Sequence, residues 1–170
     1  MTRIAFLLLT LAAFSCCNKA ASVSGKKVEI YVLSSFTRVL DTSRQMGIIR
    51  IEDPVLHAEP LVKNSDILFY ERSTSSLKLL RNIQPVLDTL DAFHAFAVTV
   101  DREPIYYGSF RPMYLSSILY GTATINPNYL ENNKLKIDFA YLDTYPFLET
   151  LDKRNDPRII DAFRSSGRLR

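Results

Sequence analysis

Hydrophobic and polar residues alternate most regularly near the end of the chain, in residues 134–140 (KLKIDFA). Leu135, Ile137 and Phe139 face one side of a strand with this sequence. The positions between them hold Lys134, Lys136 and Asp138, so the other side is solvated, which is typical of an antiparallel sheet. Residues 28–33 (VEIYVL) alternate in the same way and predict the first strand. Further strands are predicted at 47–51, 66–71, 77–80, 96–100, 105–110 and 121–125, and the rest of 34–64 is predicted to be irregular.

A different spacing predicts a helix at 82–91, where Ile83, Val86, Leu87 and Leu90 form one apolar stripe. Asn82 is placed to cap its first amides, and Pro85 falls in the first turn, where a missing N–H costs little.

A second, shorter helix is predicted close to the end of the sequence. Asp156 is its N-cap, Pro157 is its first residue and Gly167 lies beyond its end. Ile159, Ile160 and Phe163 supply its apolar stripe.

These elements predict an α+β fold: a mostly antiparallel sheet of about five to seven strands with one or two amphipathic helices packed on it. No internal repeat or linker divides the chain, so residues 27–170 are predicted to form one globular domain. The formal net charge of +3 is too balanced, and the basic residues too scattered, to favour nucleic acid as a partner.

The first residues predict a secretory signal peptide at 1–15. Arg3 gives a positive start, residues 4–14 are apolar, and small residues precede a cysteine. The apolar run has 11 residues, whereas a membrane-spanning helix needs about 20. Residues 16–26 are mostly small and polar, which predicts a flexible tether.

The order Ala13-Phe14-Ser15-Cys16 resembles the lipobox of bacterial lipoproteins, with Cys16 directly after the cut. That resemblance implies a diacylglycerol thioether on Cys16, an acylated amino group and a place in the bacterial cell envelope. With Cys17 and not Asp at the next position, it favours the outer membrane over the inner one. The chain's only two cysteines are adjacent, so they cannot staple the fold. Two alternatives stay open: Cys17 as the modified residue, and secretion without lipid.

Two further stretches resemble known families. Residues 66–111 run strand, turn, strand, helix, strand, turn, strand, and Ala97-Val-Thr-Val-Asp101-Arg-Glu-Pro-Ile105 forms the last hairpin. This order looks like the periplasmic first-domain unit of the SecD protein-export subunit. The segment 152–160 (DKRNDPRII) is similar to endings of uncharacterised Bacteroidetes lipoproteins. Both resemblances imply an extracytoplasmic domain that contacts other proteins, and neither brings a catalytic residue.

The sequence offers few candidates for catalysis or metal binding. Its two histidines, His57 and His94, lack the clustered ligands of a metal site, so we expect no metal and no cofactor. No nucleophile elbow, zinc-protease motif or phosphate loop is present. Asp138 and Asp143, which flank Tyr141, are the one carboxylate pair that suggests a hydrolase.

Seven tyrosines suggest a recognition surface for peptides or glycans, although alternation along strands turns about half of such residues inward. They are Tyr106, Tyr107, Tyr114, Tyr120, Tyr129, Tyr141 and Tyr145. We therefore expect a membrane-anchored, non-catalytic binding or envelope-assembly module whose partners are envelope proteins or glycans. The alternative is a cell-envelope hydrolase that uses the carboxylate pair.

Overall fold

The computed structural model describes residues 25–43, 47–141 and 143–170. The predicted signal peptide at 1–15, Cys16 and most of the predicted tether at 16–26 lie outside these ranges. In chain order the elements are β1 (Val28–Asp41), β2 (Ile48–Leu56), β3 (Ile67–Glu71), β4 (Ser76–Leu79), α1 (Gln84–Leu87), β5 (Ala95–Val100), β6 (Glu103–Phe110), β7 (Ala123–Ile125), β8 (Lys134–Lys136), β9 (Asp138–Phe139) and α2 (Pro157–Ser165).

The strands form two sheets. The larger has the order β2-β1-β5-β6-β7-β9, and the smaller has the order β3-β4-β8. Every neighbouring pair is antiparallel except β6 and β7, which run parallel. The fold is therefore α+β with largely antiparallel strands, as the sequence predicts. The second sheet was not predicted.

The alternating segment at 134–140 is divided between the two sheets. Residues 134–136 pair with β4, while Asp138 and Phe139 pair with β7. The alternation itself is confirmed, because Leu135, Ile137 and Phe139 are all buried. The prediction of one continuous strand was wrong, since alternation fixes which side is buried but not which partner a strand finds.

The first hairpin is longer and more regular than predicted. β1 continues to Asp41 and pairs with β2, although the sequence predicts only residues 28–33 and a short strand at 47–51. The register shifts twice, between Leu33 and Ser35 and between Ser35 and Thr37. Such bulges interrupt the period-two pattern, which is why the polar residues there indicated an irregular region.

The core lies between the sheets and the two helices. Phe96 and Phe110 meet edge to face with their ring centroids 5.5 Å apart, and Tyr70 stacks on Phe163 of α2 at 5.1 Å. The side chain of Asp156 accepts a hydrogen bond from the backbone N–H of Arg158 at 3.0 Å, so the predicted N-cap of α2 is confirmed.

The first helix is shorter than predicted, and one residue of its stripe is misplaced. Ile83, Leu87 and Leu90 are buried, but Val86 is 52% exposed. Asn82 accepts a hydrogen bond from the N–H of Gln84 at 2.8 Å, as expected of a cap. Ile83 precedes the helix with a non-helical backbone (φ −109°, ψ 8°), and the N–H groups of Thr89 and Leu90 bond carbonyls three residues back. The stripe is therefore not one regular helical face, and Val86 falls outside the buried side.

A candidate ligand-binding cleft between the two sheets

A polar cleft lies where the chain passes from the smaller sheet to the larger one. Leu135 and Ile137 point into the core, so Lys136 and Asp138 emerge on the same outer side. The N–H of Ile137 bonds the carbonyl of Ser75 at 3.1 Å, which holds the crossing point against the turn before β4. Local alternation therefore fixes one wall of the cleft.

Two loops supply the opposite wall. Asn126, directly after β7, accepts a hydrogen bond from the N–H of Asn128 at 3.0 Å. Asn132 and Asn133 both have left-handed backbone conformations, with φ of 50° and 56°. The N–H of Lys134 bonds the carbonyl of Glu131 at 2.8 Å and closes that turn. The cleft between these walls has a volume of about 320 Å³, and it is lined by Thr74, Ser76, Asn126, Tyr129, Glu131, Lys134, Lys136 and Asp138.

Both lysines of the cleft are already paired with carboxylates. Lys136 Nζ lies 2.6 Å from Asp138 Oδ1. Lys134 contacts Glu71, which also accepts a hydrogen bond from Thr74 at 2.7 Å. These two bonds lower the pKa of Glu71, that from Lys134 more strongly. The cleft therefore presents its positive charges in neutralised pairs.

An aromatic side chain stands beside these pairs. Tyr129 is 58% exposed, and its hydroxyl is hydrogen bonded to Glu131. That bond and the negative charge of Glu131 raise the pKa of Tyr129.

The predicted carboxylate pair is not assembled in this cleft. Asp138 lines it, but Asp143 is an exposed residue that does not. The acid that shares the cleft with Asp138 is Glu131, which the sequence analysis missed. Its place depends on the Asn132–Asn133 turn, and a pair of asparagines before a strand was the available signal for that turn.

The predicted tyrosines do not form one platform. Tyr106 packs on the main core, whereas Tyr107 packs on a small cluster on the other face of the larger sheet. Of the others, Tyr129 lines the cleft, Tyr114 is exposed between β6 and β7, Tyr120 bridges Ala140, Tyr141 bonds Asp152, and Tyr145 contacts Phe147. Of these seven tyrosines, Tyr129 is thus the one that lines the cleft with its lysine–carboxylate pairs.

The two histidines lie on a single, more apolar groove of about 560 Å³, with Val86 and Leu90 among its lining residues. His94 Nδ1 lies 2.7 Å from Asp91 Oδ1, and the Nδ1 of His57 accepts a bond from the N–H of Glu59 at 3.4 Å. Each histidine therefore has a local partner in its own loop.

A second group of tyrosine, acidic and basic side chains lies beyond β9 and consists of Tyr141, Asp152 and Arg154. Arg154 forms a two-pronged ion pair with Asp152, at 3.0 and 2.8 Å, and both side chains are 14% exposed. Arg154 also bonds the carbonyl of Ile137 at 3.0 Å and lies over the ring of Phe139. Tyr141 donates to Asp152.

The same contacts set the pKa of Asp152. Burial alone would raise the pKa of this carboxyl, but the hydrogen bonds from Arg154 and Tyr141 outweigh burial and lower it. Asp152 therefore stays ionised to a lower pH than an unpaired aspartate.

The basis for assigning a function is accordingly the cleft's own chemistry. In the ranges that the structure covers, no group of three or more histidine, cysteine, aspartate or glutamate side chains is placed to hold a metal ion. None of the helices described is long and apolar enough to cross a bilayer. No family model, curated protein or solved structure matches this chain.

Proposed function

We propose that this chain is a lipid-anchored extracytoplasmic protein of the bacterial envelope whose domain binds a ligand or partner without chemical turnover. The observation that carries the proposal is the cleft between the sheets. Its lysines are engaged by carboxylates, and Glu71, the carboxylate that accepts a hydrogen bond from the Thr74 hydroxyl, is itself held by Lys134, which lowers its pKa and makes it a poor base. Preformed polar groups of this kind suit recognition.

The position of the cleft is compatible with an anchor at Cys16. The chain enters the fold at one end of the larger sheet, where Lys27 and Asp101 exchange two hydrogen bonds of 2.8 Å. Asn126 follows the opposite end, because Ile125 is paired with Phe110, the last residue of β6. β6 has eight residues, so about 23 Å separates these ends. A tether to a membrane leaves the cleft accessible.

The adjacent cysteines allow a matched test of the anchor. Cells grown with an alkyne analogue of palmitate should label the wild type and Cys17→Ser but not Cys16→Ser. Label on Cys16→Ser together with its loss from Cys17→Ser would move the anchor by one residue. An unlabelled wild-type protein in the soluble fraction would contradict the anchor altogether.

The hydrolase alternative gains little from the geometry. Asp143 does not line the cleft, and Asp138 is engaged by Lys136. A general acid or base must be within reach of the reacting group, and a close ion pair competes for that role. Turnover of an envelope glycan that disappears in Asp138→Asn would favour the hydrolase, whereas binding that survives this change supports the proposed module.

A further inference from the structure

We propose that the cleft between the sheets binds an uncharged saccharide, an inference that rests on the proposed binding function. Three features of the cleft point to this ligand class: the pairing of its lysines with carboxylates, the exposed ring of Tyr129, and the mixture of hydrogen-bond donors and acceptors around that ring.

Both lysines of the cleft already have a carboxylate partner. Lys136 is paired with Asp138 and Lys134 with Glu71, while Glu131 lies beside the hydroxyl of Tyr129. An anionic ligand would have to displace Asp138 from an ammonium group 2.6 Å away, and a cationic ligand would have to displace Lys136. An ionic ligand would gain only about as much as the displaced partner loses, so the paired charges give a charged ligand no advantage. A neutral polar ligand leaves the pair intact.

The ring of Tyr129 offers an apolar face inside a polar setting. An aromatic face attracts partially positive C–H groups through its negative quadrupole. The C–H face of a pyranose ring carries such groups. This arrangement fits a sugar ring stacked on Tyr129.

The groups around the ring match the needs of sugar hydroxyls. Each hydroxyl donates one hydrogen bond and accepts others, so it is best met by donors and acceptors side by side. Asn126 carries an amide with both, Lys136 donates, and the free lone pairs of Asp138 accept. A volume of about 320 Å³ lies at the lower end of the range for small-ligand sites, which suits a short saccharide unit.

The test uses the full-length lipidated protein in detergent and four tetrasaccharides: chitotetraose, maltotetraose, cellotetraose and the anionic tetragalacturonate. Isothermal titration should show saturable binding of at least one neutral sugar and weaker binding of tetragalacturonate. Tyr129→Ala should weaken binding about tenfold or more through loss of the stacked ring. Tyr114→Ala, at a tyrosine that is 73% exposed but outside the cleft, should leave it unchanged.

A second variant separates the role of the ring from folding. The chain has no tryptophan, so Tyr129→Trp introduces a single tryptophan, whose emission can be separated from that of the tyrosines. We expect this variant to retain sugar binding, and its emission to shift when the sugar binds. Tyr129→Trp that is folded by circular dichroism but shows neither binding nor an emission change would count against stacking.

The outcomes distinguish the ligand class from the wider function. If none of the neutral sugars binds, or if tetragalacturonate binds most tightly, the saccharide inference is overturned and the palmitate experiment is unaffected. If a neutral sugar binds and new reducing ends appear that are lost in Asp138→Asn, the ligand class survives and the non-catalytic proposal fails. Binding without new reducing ends supports both.

Discussion

Two groups of tyrosine, carboxylate and basic side chains, one around Arg154 and one in the cleft, differ in what they leave exposed. Around Arg154 these groups bond one another and the backbone, and the ion pair is 14% exposed on each side. In the cleft the Lys136–Asp138 pair is 59% and 51% exposed, and Tyr129 stands open to solvent. The first group holds two segments together through bonds among its own side chains and to the carbonyl of Ile137. The difference lies in burial and not in residue type.

The largest expected effect is at the buried group. Arg154→Ala should lower the free energy of unfolding by about 4 kcal/mol, because it leaves Asp152 ionised and unpaired in a partly buried place. Urea denaturation followed by circular dichroism measures this change. Arg154→Lys should lose less, since it keeps the charge but not the two-pronged geometry. If Arg154→Ala lowers the free energy of unfolding by less than Lys136→Ala in the cleft, the proposed difference between the buried and the exposed group is wrong.

Helix α1 allows the same comparison of a buried with an exposed position, here between two apolar side chains. Leu87 is fully buried, so Leu87→Ala should cost about 3 kcal/mol. Val86→Ala, one residue away and half exposed, should change stability by less than about 0.5 kcal/mol. Thermal and urea unfolding of this pair check the placement of the helix. Equal losses would mean that Val86 is buried as the sequence predicted.

Acid should affect the buried group through Asp152. Because the folded-state pKa of Asp152 is lowered, its contribution is present above the unfolded value of about 3.9 and is lost as the pH falls towards the folded one. Asp152→Asn should cost about 1–2 kcal/mol near neutral pH. That deficit should shrink during acid titration followed by urea unfolding. The exposed control Asp143→Asn should run parallel to the wild type, and a constant deficit for Asp152→Asn would contradict the pairing.

The smallest effect is expected at the cleft. Lys136→Ala should change the free energy of unfolding by less than about 0.5 kcal/mol, because exposed ion pairs contribute little. The same urea titration measures it, at low and at high salt. A loss of several kcal/mol would mean that this pair supports the fold as Arg154 does.

Local chemistry made α2 predictable, whereas the cleft depends on distant partners. Asp156, Pro157 and Gly167 act within a few residues of one another, and the structure places the helix between them as expected. The division of 134–140 depends on β4 and β7, which no local pattern identifies. The alternation of apolar and polar residues did predict that Lys136 and Asp138 lie on the same outer side of the strand. Glu131 and Tyr129 reach that side only through loop conformations, so the composition of the cleft could not be predicted.

The pairing of residues 168–170 with β3 has a consequence for how the chain folds. Arg168 donates to the backbone and side chain of Asn64 across 104 residues of sequence, and Leu169 bridges Tyr70. β1 likewise pairs with β5, a strand that comes much later in the sequence. Contacts between such distant residues make folding slow, because the loops between them must close first. Asn64 can meet Arg168 only after the residues between them have been synthesised, so this contact forms well after Asn64 itself has emerged from the ribosome.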